Sequence, residues 1–242
     1  MPAPLLEVCV DDALGLAEAV AGGADRIELC AALSLGGLTP SPGLMHHAAS
    51  SHVPVLALIR PRAGDFVFTA AAVDVMHHDI AAARAAGLAG VVLGASLPDG
   101  RLNEAVLAAL LAGADGLDVT LHRAIDLAPD PVQAVAAAIR LGFRRVLSSG
   151  GAPSAVHGIG RLATMMQTAA GRLSVMPGSG ISALTWPKLA ALGVTEVHAS
   201  CAERVATAPG ALELGFANGQ EKRTNRANVA ALKAALLLNG SP

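Results

Sequence analysis

Short apolar runs recur along the chain, most of them preceded by an alanine-rich stretch of helical period and a glycine, a pattern that predicts helices alternating with strands. The junction reads GGADRIEL from Gly22, GLAGVVLG from Gly87, GADGLDVTL from Gly113, GFRRVLSS from Gly142, GRLSVMPG from Gly171 and GVTEVHAS from Gly193. A glycine just past a helix end supplies a left-handed cap, and the strand starts a few residues later. With LLEVCV at the start and VPVLALIRPR from Val53, eight strands are predicted: Leu5 to Val10, Arg26 to Cys30, Val55 to Pro61, Gly90 to Ala95, Leu117 to His122, Arg145 to Ser149, Arg172 to Met176 and Glu196 to Ser200. Strands joined through helices pair in parallel by right-handed crossovers, and eight such units can close on themselves. The expected fold is therefore α/β, a (β/α)8 TIM barrel forming a single domain over residues 1–242. A doubly wound sheet is the runner-up, disfavoured because no strand followed by a helix carries G-x-G-x-x-G.

Composition agrees with close helix-on-sheet packing: 53% of residues are hydrophobic but only 2% aromatic, so small and branched side chains carry the core. No apolar run reaches the roughly 18 residues that a membrane helix needs before a charge, Gly or Pro interrupts it. A formal net charge of -2 without a basic stripe argues against nucleic acid and anionic membranes as partners; EKRTNR from Glu221 is the densest basic stretch. Three cysteines, few and odd in number, fit free thiols in a reducing, cytoplasmic setting. A metal ion or a small anionic ligand is the expected partner, and a homo-oligomer is compatible with the sequence.

The candidate chemistry follows from strand parity. Alternate side chains share a face, so Glu7 and Cys9, Glu28 and Cys30, Leu58 and Arg60, Asp118, Thr120 and His122, and Glu196, His198 and Ser200 each point one way, while Val8, Leu29, Ile59, Leu121 and Val197 point the other. Helices cover the apolar face, so the polar set is expected inside the barrel. Buried Glu7 and Glu28 need cationic partners, and Arg60 on the next strand is the expected one. Glu7, Glu28, His122 and His198 are candidates for acid/base work. Arg60, Arg62, Arg123 and Asp126 are candidates for holding a ligand, together with Gly150 and Gly151 in SSGG and Gly178 and Gly180 in PGSGI, whose N–H groups can cradle an anion. An inert buried ion network at the mouth is the competing explanation. Lys188, Lys222 and Lys233 lie away from strand ends, which argues against Schiff-base chemistry. Cys9 and Cys30 form a soft pair suited to Cu(I), although buried cysteines commonly pack as small apolar groups.

In these residues the chain resembles the copper homeostasis protein CutC family. The matching segments are LLEVCVD, GGADRIELC, GGLTPSPG, LIRPRAGDF, LHRAIDLAPDP, VLSSGG, VMPGSGI and EVHAS, in order and at barrel spacing. The resemblance implies a (β/α)8 barrel with a part in copper handling through Cys9 and Cys30, with Cu(I) as the implied metal. The polar positions it shares, Glu7, Glu28, Arg60, Arg62, His122, Arg123, Asp126 and His198, read more like an enzyme's site than a metallochaperone's. Ala63 stands where the family pattern usually has Gly, and from Cys201 onward the match is poor, so the mouth after the eighth strand is expected to differ. Copper handling, an enzyme acting on a small anionic or polyhydroxylated substrate, and a noncatalytic scaffold are the three functions the sequence leaves open.

Overall fold

The computed structural model describes residues 3–219 and 221–238; residues 1–2, 220 and 239–242, which include both ends of the expected domain, lie outside the described residues. Eight strands alternate with helices: β1 (Leu5–Val10), α1 (Ala13–Ala21), β2 (Arg26–Leu29), α2 (Pro42–Ala48), β3 (Val55–Leu58), α3 (Ala70–Ala85), β4 (Gly90–Leu93) and α4 (Glu104–Gly113). There follow β5 (Asp118–Leu121), α5 (Pro131–Leu141), β6 (Arg145–Ser148), α6 (Ile159–Ala169), β7 (Ser174–Pro177) and β8 (Glu196–Ala199). After β8 the chain forms β9 (Ala202–Arg204), α7 (Pro209–Glu213), β10 (Lys222–Thr224) and α8 (Arg226–Leu238). No helix among the described residues is long and apolar enough to cross a membrane.

The eight barrel strands pair in parallel in the order β7-β6-β5-β4-β3-β2-β1-β8, giving a nearly closed TIM barrel. The two end strands meet along a seam without a ladder, bridged by the hydroxyls of Ser174 and Thr195 at 3.3 Å. Two departures from the expected alternation have physical reasons. Between β7 and β8 only 3-10 turns form, around a Trp-Pro pair, and buried Trp186 and Leu189 fill the space a helix would occupy. Beyond β8, β9 and β10 make an antiparallel pair at the mouth, and only then does α8 reach the outer layer.

The glycine junctions behave as the sequence predicts at Gly87, Gly142, Gly171 and Gly193, all left-handed; after α1 and α4 the second glycine of the phrase, Gly23 and Gly116, takes that role. Asp12, Ser41, Thr69, Asn103 and Asp130 accept N–H groups at helix starts. The outward strand faces, including Val8, Ile27, Leu29, Val91, Leu121 and Val197, are fully buried against the helices. Inside the barrel a separate small apolar cluster holds Cys9, Cys30, Leu56, Leu58 and Val92.

Close strand approach demands glycine at Gly90, where a Cβ would overlap the Asp118 carbonyl. Backbone cannot yield as a side chain can, so Gly90→Ala is expected to cost about 3 kcal/mol or more in urea unfolding. Gly160 in α6 has nothing near a Cβ, so Gly160→Ala should be neutral or stabilise by up to about 1 kcal/mol; equal effects of the two would contradict this packing.

Candidate functional site

Four of the charges inside the barrel are the first residues of their strands: Arg26 on β2, Asp118 on β5, Arg145 on β6 and Glu196 on β8. They form a closed layer at the N-terminal end. Arg26 Nη2 lies 2.5 Å from Glu196 Oε2, Arg145 Nε lies 3.0 Å from the same oxygen, and Arg145 Nη1 donates to Asp118 Oδ2 at 2.9 Å and to Thr120 Oγ1 at 3.0 Å. The next layer carries Glu7, Glu28 and His198. Strand register sets Glu7 opposite Arg26 on one side and His198 on the other. Accordingly Glu7 accepts from Arg26 Nε and from His198 Nδ1, the latter at 2.8 Å. His198 Nε2 in turn lies 3.6 Å from Glu28 Oε2.

Arg60 is therefore not the partner of either glutamate. It sits one layer higher and donates to backbone carbonyls, Nη1 to Leu35 and Gly37 and Nη2 to Gly64, with its guanidinium 5.1 Å from the Phe66 ring centre. Sequence reasoning missed Arg26 and Arg145, although Arg26 lies two residues before Glu28 and so had to share its face.

The charge sequence Glu28, His198, Glu7, Arg26, Glu196, Arg145, Asp118 ends at exposed Arg144, 3.8 Å from Asp118 Oδ1, and so alternates four carboxylates with four cations. Burial would raise the Glu7 pKa, but His198 and Arg26 outweigh it and hold the carboxyl at about 2. Burial works against a charged His198, and Cys9, Glu7 and Glu28 around it reverse the effect, so its pKa stands well above the ordinary imidazole value. Glu28 is the odd carboxylate. Burial first, and the nearby Glu7 charge after it, overcome the attraction of His198 and push its pKa up to about 7.

Glu28 forms part of the wall of a cavity of about 790 Å³ at the C-terminal ends of the strands, shared with Cys9, Cys30, Arg60, His122 and His198. His122 is 5% exposed and stacks against Phe66 with ring centres 4.6 Å apart. Its Nδ1 accepts the N–H of Ala124 at 3.1 Å, and burial, with the Arg60 charge second, lowers its pKa to about 3. Arg204 and Lys222 reach the rim from β9 and β10. Lys222 thus enters the mouth from outside the barrel strands.

The remaining predicted positions divide. Asp126 accepts from Ser148 Oγ, from the N–H groups of Ser149 and Gly151, and from Arg123 Nε at 2.8 Å. Gly150 N–H goes to Ser148 Oγ. The SSGG turn is thus a cradle for an anion, and in this structure it holds the chain's own Asp126 carboxylate, with the N–H of Gly151 on Asp126 and that of Gly150 on Ser148 Oγ. Gly178 leaves room for Leu147 and His198, which a Cβ would crowd. Gly180, left-handed beside left-handed Ser179, lines the cavity. Arg123 lines it as well, while Arg62 is partly exposed and bonds Asp65 and the Val67 carbonyl outside it.

For a metal, the ligand atoms that converge are Cys9, Glu28 and His198, all within 4.8 Å of one another. Cys30 stands outside that group. It is fully buried, and burial, then the Glu28 charge, raises its pKa well above the ordinary thiol value.

Known proteins bear on this geometry. The family model for the CutC family matches residues 4–203. The family protein CutC of Sinorhizobium medicae is 54% identical over 234 residues, 96% of each chain, and that of Caulobacter vibrioides is 48% identical over 235 residues, 95% of this chain and 96% of the relative. A Streptococcus agalactiae structure described as a copper homeostasis protein CutC superposes with a TM-score of 0.78 at 27% identity, covering 81% of this chain and 98% of its own. The chain therefore belongs to the CutC family.

Proposed function

We propose that the chain is a barrel enzyme of acid–base chemistry on a small anionic molecule, with Glu28 as the group that takes and returns the proton. The observation that carries this reading is the place of Glu28: Glu7 takes the short bond to His198 at 2.8 Å, Glu28 stands 3.6 Å from the other ring nitrogen, and it borders a cavity. A carboxyl whose pKa is about 7 exchanges protons readily near neutral pH. Arg60 supports an anionic ligand, because its buried guanidinium meets carbonyl dipoles but no carboxylate among the described residues, and burial followed by the Arg62 charge lowers its pKa. An anion in the cavity would supply the missing countercharge. An open mouth bordered by Glu28, Arg60 and His122 also speaks against a noncatalytic scaffold, whose barrel end has no reason to stay unfilled. The three free cysteines support a reducing, cytoplasmic setting.

Copper handling is the second reading, attributed to the family and to the Streptococcus agalactiae relative. The convergence of Cys9, Glu28 and His198 favours it. The donors nevertheless fit Cu(I) poorly: His198 has carboxylates on both nitrogens, Glu28 is a hard oxygen ligand, and Cys30 is a protonated thiol outside the group.

Two measurements separate the readings. In carboxyl-labelled protein the Glu28 signal should titrate with a midpoint near 7; an ordinary carboxylate midpoint contradicts the acid–base role. The linkage has a definite sign. The unfolded chain ionises Glu28 at about 4.5 and the folded chain at about 7, so the folded state holds the extra proton and stability falls as pH rises through that window. Glu28→Gln should remove that fall and make the protein more stable than wild type by about 2 to 3 kcal/mol above the window, read by urea unfolding. For copper, Cu(I) titration of the reduced protein should give weak uptake that Cys30→Ser leaves unchanged. Tight one-to-one uptake abolished by Cys9→Ser would establish the metal instead.

A further inference from the structure

His122 carries a hydrogen-bond donor that nothing in the fold uses. Its Nδ1 is occupied as an acceptor by the Ala124 N–H, which places the ring proton on Nε2 in the neutral imidazole. Nε2 is buried and has no partner among the described residues, while the ring itself lines the cavity. The ring cannot swing away. The absence of a side chain at Gly94 makes its space, since a Cβ there would overlap the imidazole, and the Phe66 ring packs 4.6 Å from it. Leaving a buried donor unpaired costs about 1 to 3 kcal/mol, so a fold that fixes one at a cavity wall is built for an acceptor that arrives with the ligand.

The surroundings narrow that acceptor. Arg60 holds positive charge 5.1 Å from the Phe66 ring centre, and its own Nε has no hydrogen-bond partner among the described residues. A ligand with an anionic end at Arg60 and an oxygen at His122 Nε2 spans two donors on one wall, with Glu28 in the same cavity. A neutral imidazole N–H aimed at oxygen stabilises charge that develops there without having to give up its proton.

We infer that the substrate is a small anionic carbonyl compound with a C–H bond beside the carbonyl, and that His122 donates to the carbonyl oxygen as Glu28 removes that proton. This rests on the acid–base reading of Glu28. In the step, the C–H bond breaks and its hydrogen passes as a proton to the Glu28 carboxylate. The C–H electron pair becomes a C=C bond while the C=O π pair moves onto oxygen, where the His122 N–H meets the new charge. Return of a proton from Glu28 to the same carbon exchanges its hydrogen with solvent with retention, and, where that carbon bears a hydroxyl, return to the former carbonyl carbon, with the hydroxyl proton passing to the former carbonyl oxygen, isomerises the compound. No other reactant is needed.

The test has a ligand-free arm and a reaction arm. Nitrogen-15 spectra of histidine-labelled protein should show His122 neutral with its proton on Nε2 throughout about pH 5 to 9; a ring that titrates in that range, or that carries its proton on Nδ1, overturns the inference. In D2O, pyruvate or dihydroxyacetone phosphate should take up deuterium beside the carbonyl, at least about 100-fold slower with Glu28→Gln and with His122→Phe, and about 10-fold slower with His122→Gln, which keeps an N–H donor. Both His122 variants should keep the pH midpoint of about 7 that Glu28 sets. No exchange with either probe above the Glu28→Gln level overturns the inference. If Glu28 still titrates near 7 in that case, the acid–base reading survives; an ordinary Glu28 midpoint sinks the reading beneath it.

Discussion

The carboxylate of Glu7 is fully buried and meets Arg26 on one side and His198 on the other, and the properties of the barrel mouth follow from those two contacts. A buried carboxylate survives only if charge and hydrogen bonds replace water, and the parallel register of β1 with β2 and β8 supplies both partners from neighbouring strands. Once Glu7 is answered twice, His198 keeps its proton, and Glu28 is left as a second carboxylate competing for the same imidazolium. The layer beneath, from Arg26 through Glu196 and Arg145 to Asp118, is complete in itself and holds the strand starts together. Such a network gives little net stability for its desolvation cost. What it does provide is a defined charge state next to a cavity.

Much of this was legible in the chain. The junction glycines and the spacing of apolar runs carried the barrel, because a left-handed cap followed by a short apolar run has few other structural meanings. Parity alone brought Glu7, Glu28, His122 and His198 to the interior. The pairing was not legible. Arg60 stood nearest in sequence logic, yet shear between strands lifts it a layer above the glutamates, and Arg26, at the very start of its strand, takes the place expected for it. The SSGG turn looked like a ligand cradle because nothing in the sequence reveals that Asp126, more than twenty residues earlier, folds back to fill it. Nor could the sequence place β9 and β10, since their residues lack the periodicity of the barrel.

Family membership and site chemistry fall on the same part of the molecule. The CutC model covers residues 4–203, the whole charge network and the cavity floor included. Arg204 and Lys222 lie beyond it, on a short antiparallel pair after β8. Inside the barrel Cys9 and Cys30 pack with Leu56, Leu58 and Val92, while Cys9 also reaches the side chains of Glu28 and His198. The apolar contacts of Cys30 explain its burial without a metal.

The charge assignment of His198 decides whether this account holds, because a neutral ring there would leave Glu28 without its neighbouring cation and Glu7 without its second partner. Nitrogen-15 spectra of histidine-labelled protein at about pH 8, well above the ordinary imidazole range, measure it directly. The account predicts that both ring nitrogens of His198 carry protons at that pH; a neutral ring that has lost its proton near the ordinary value would contradict it.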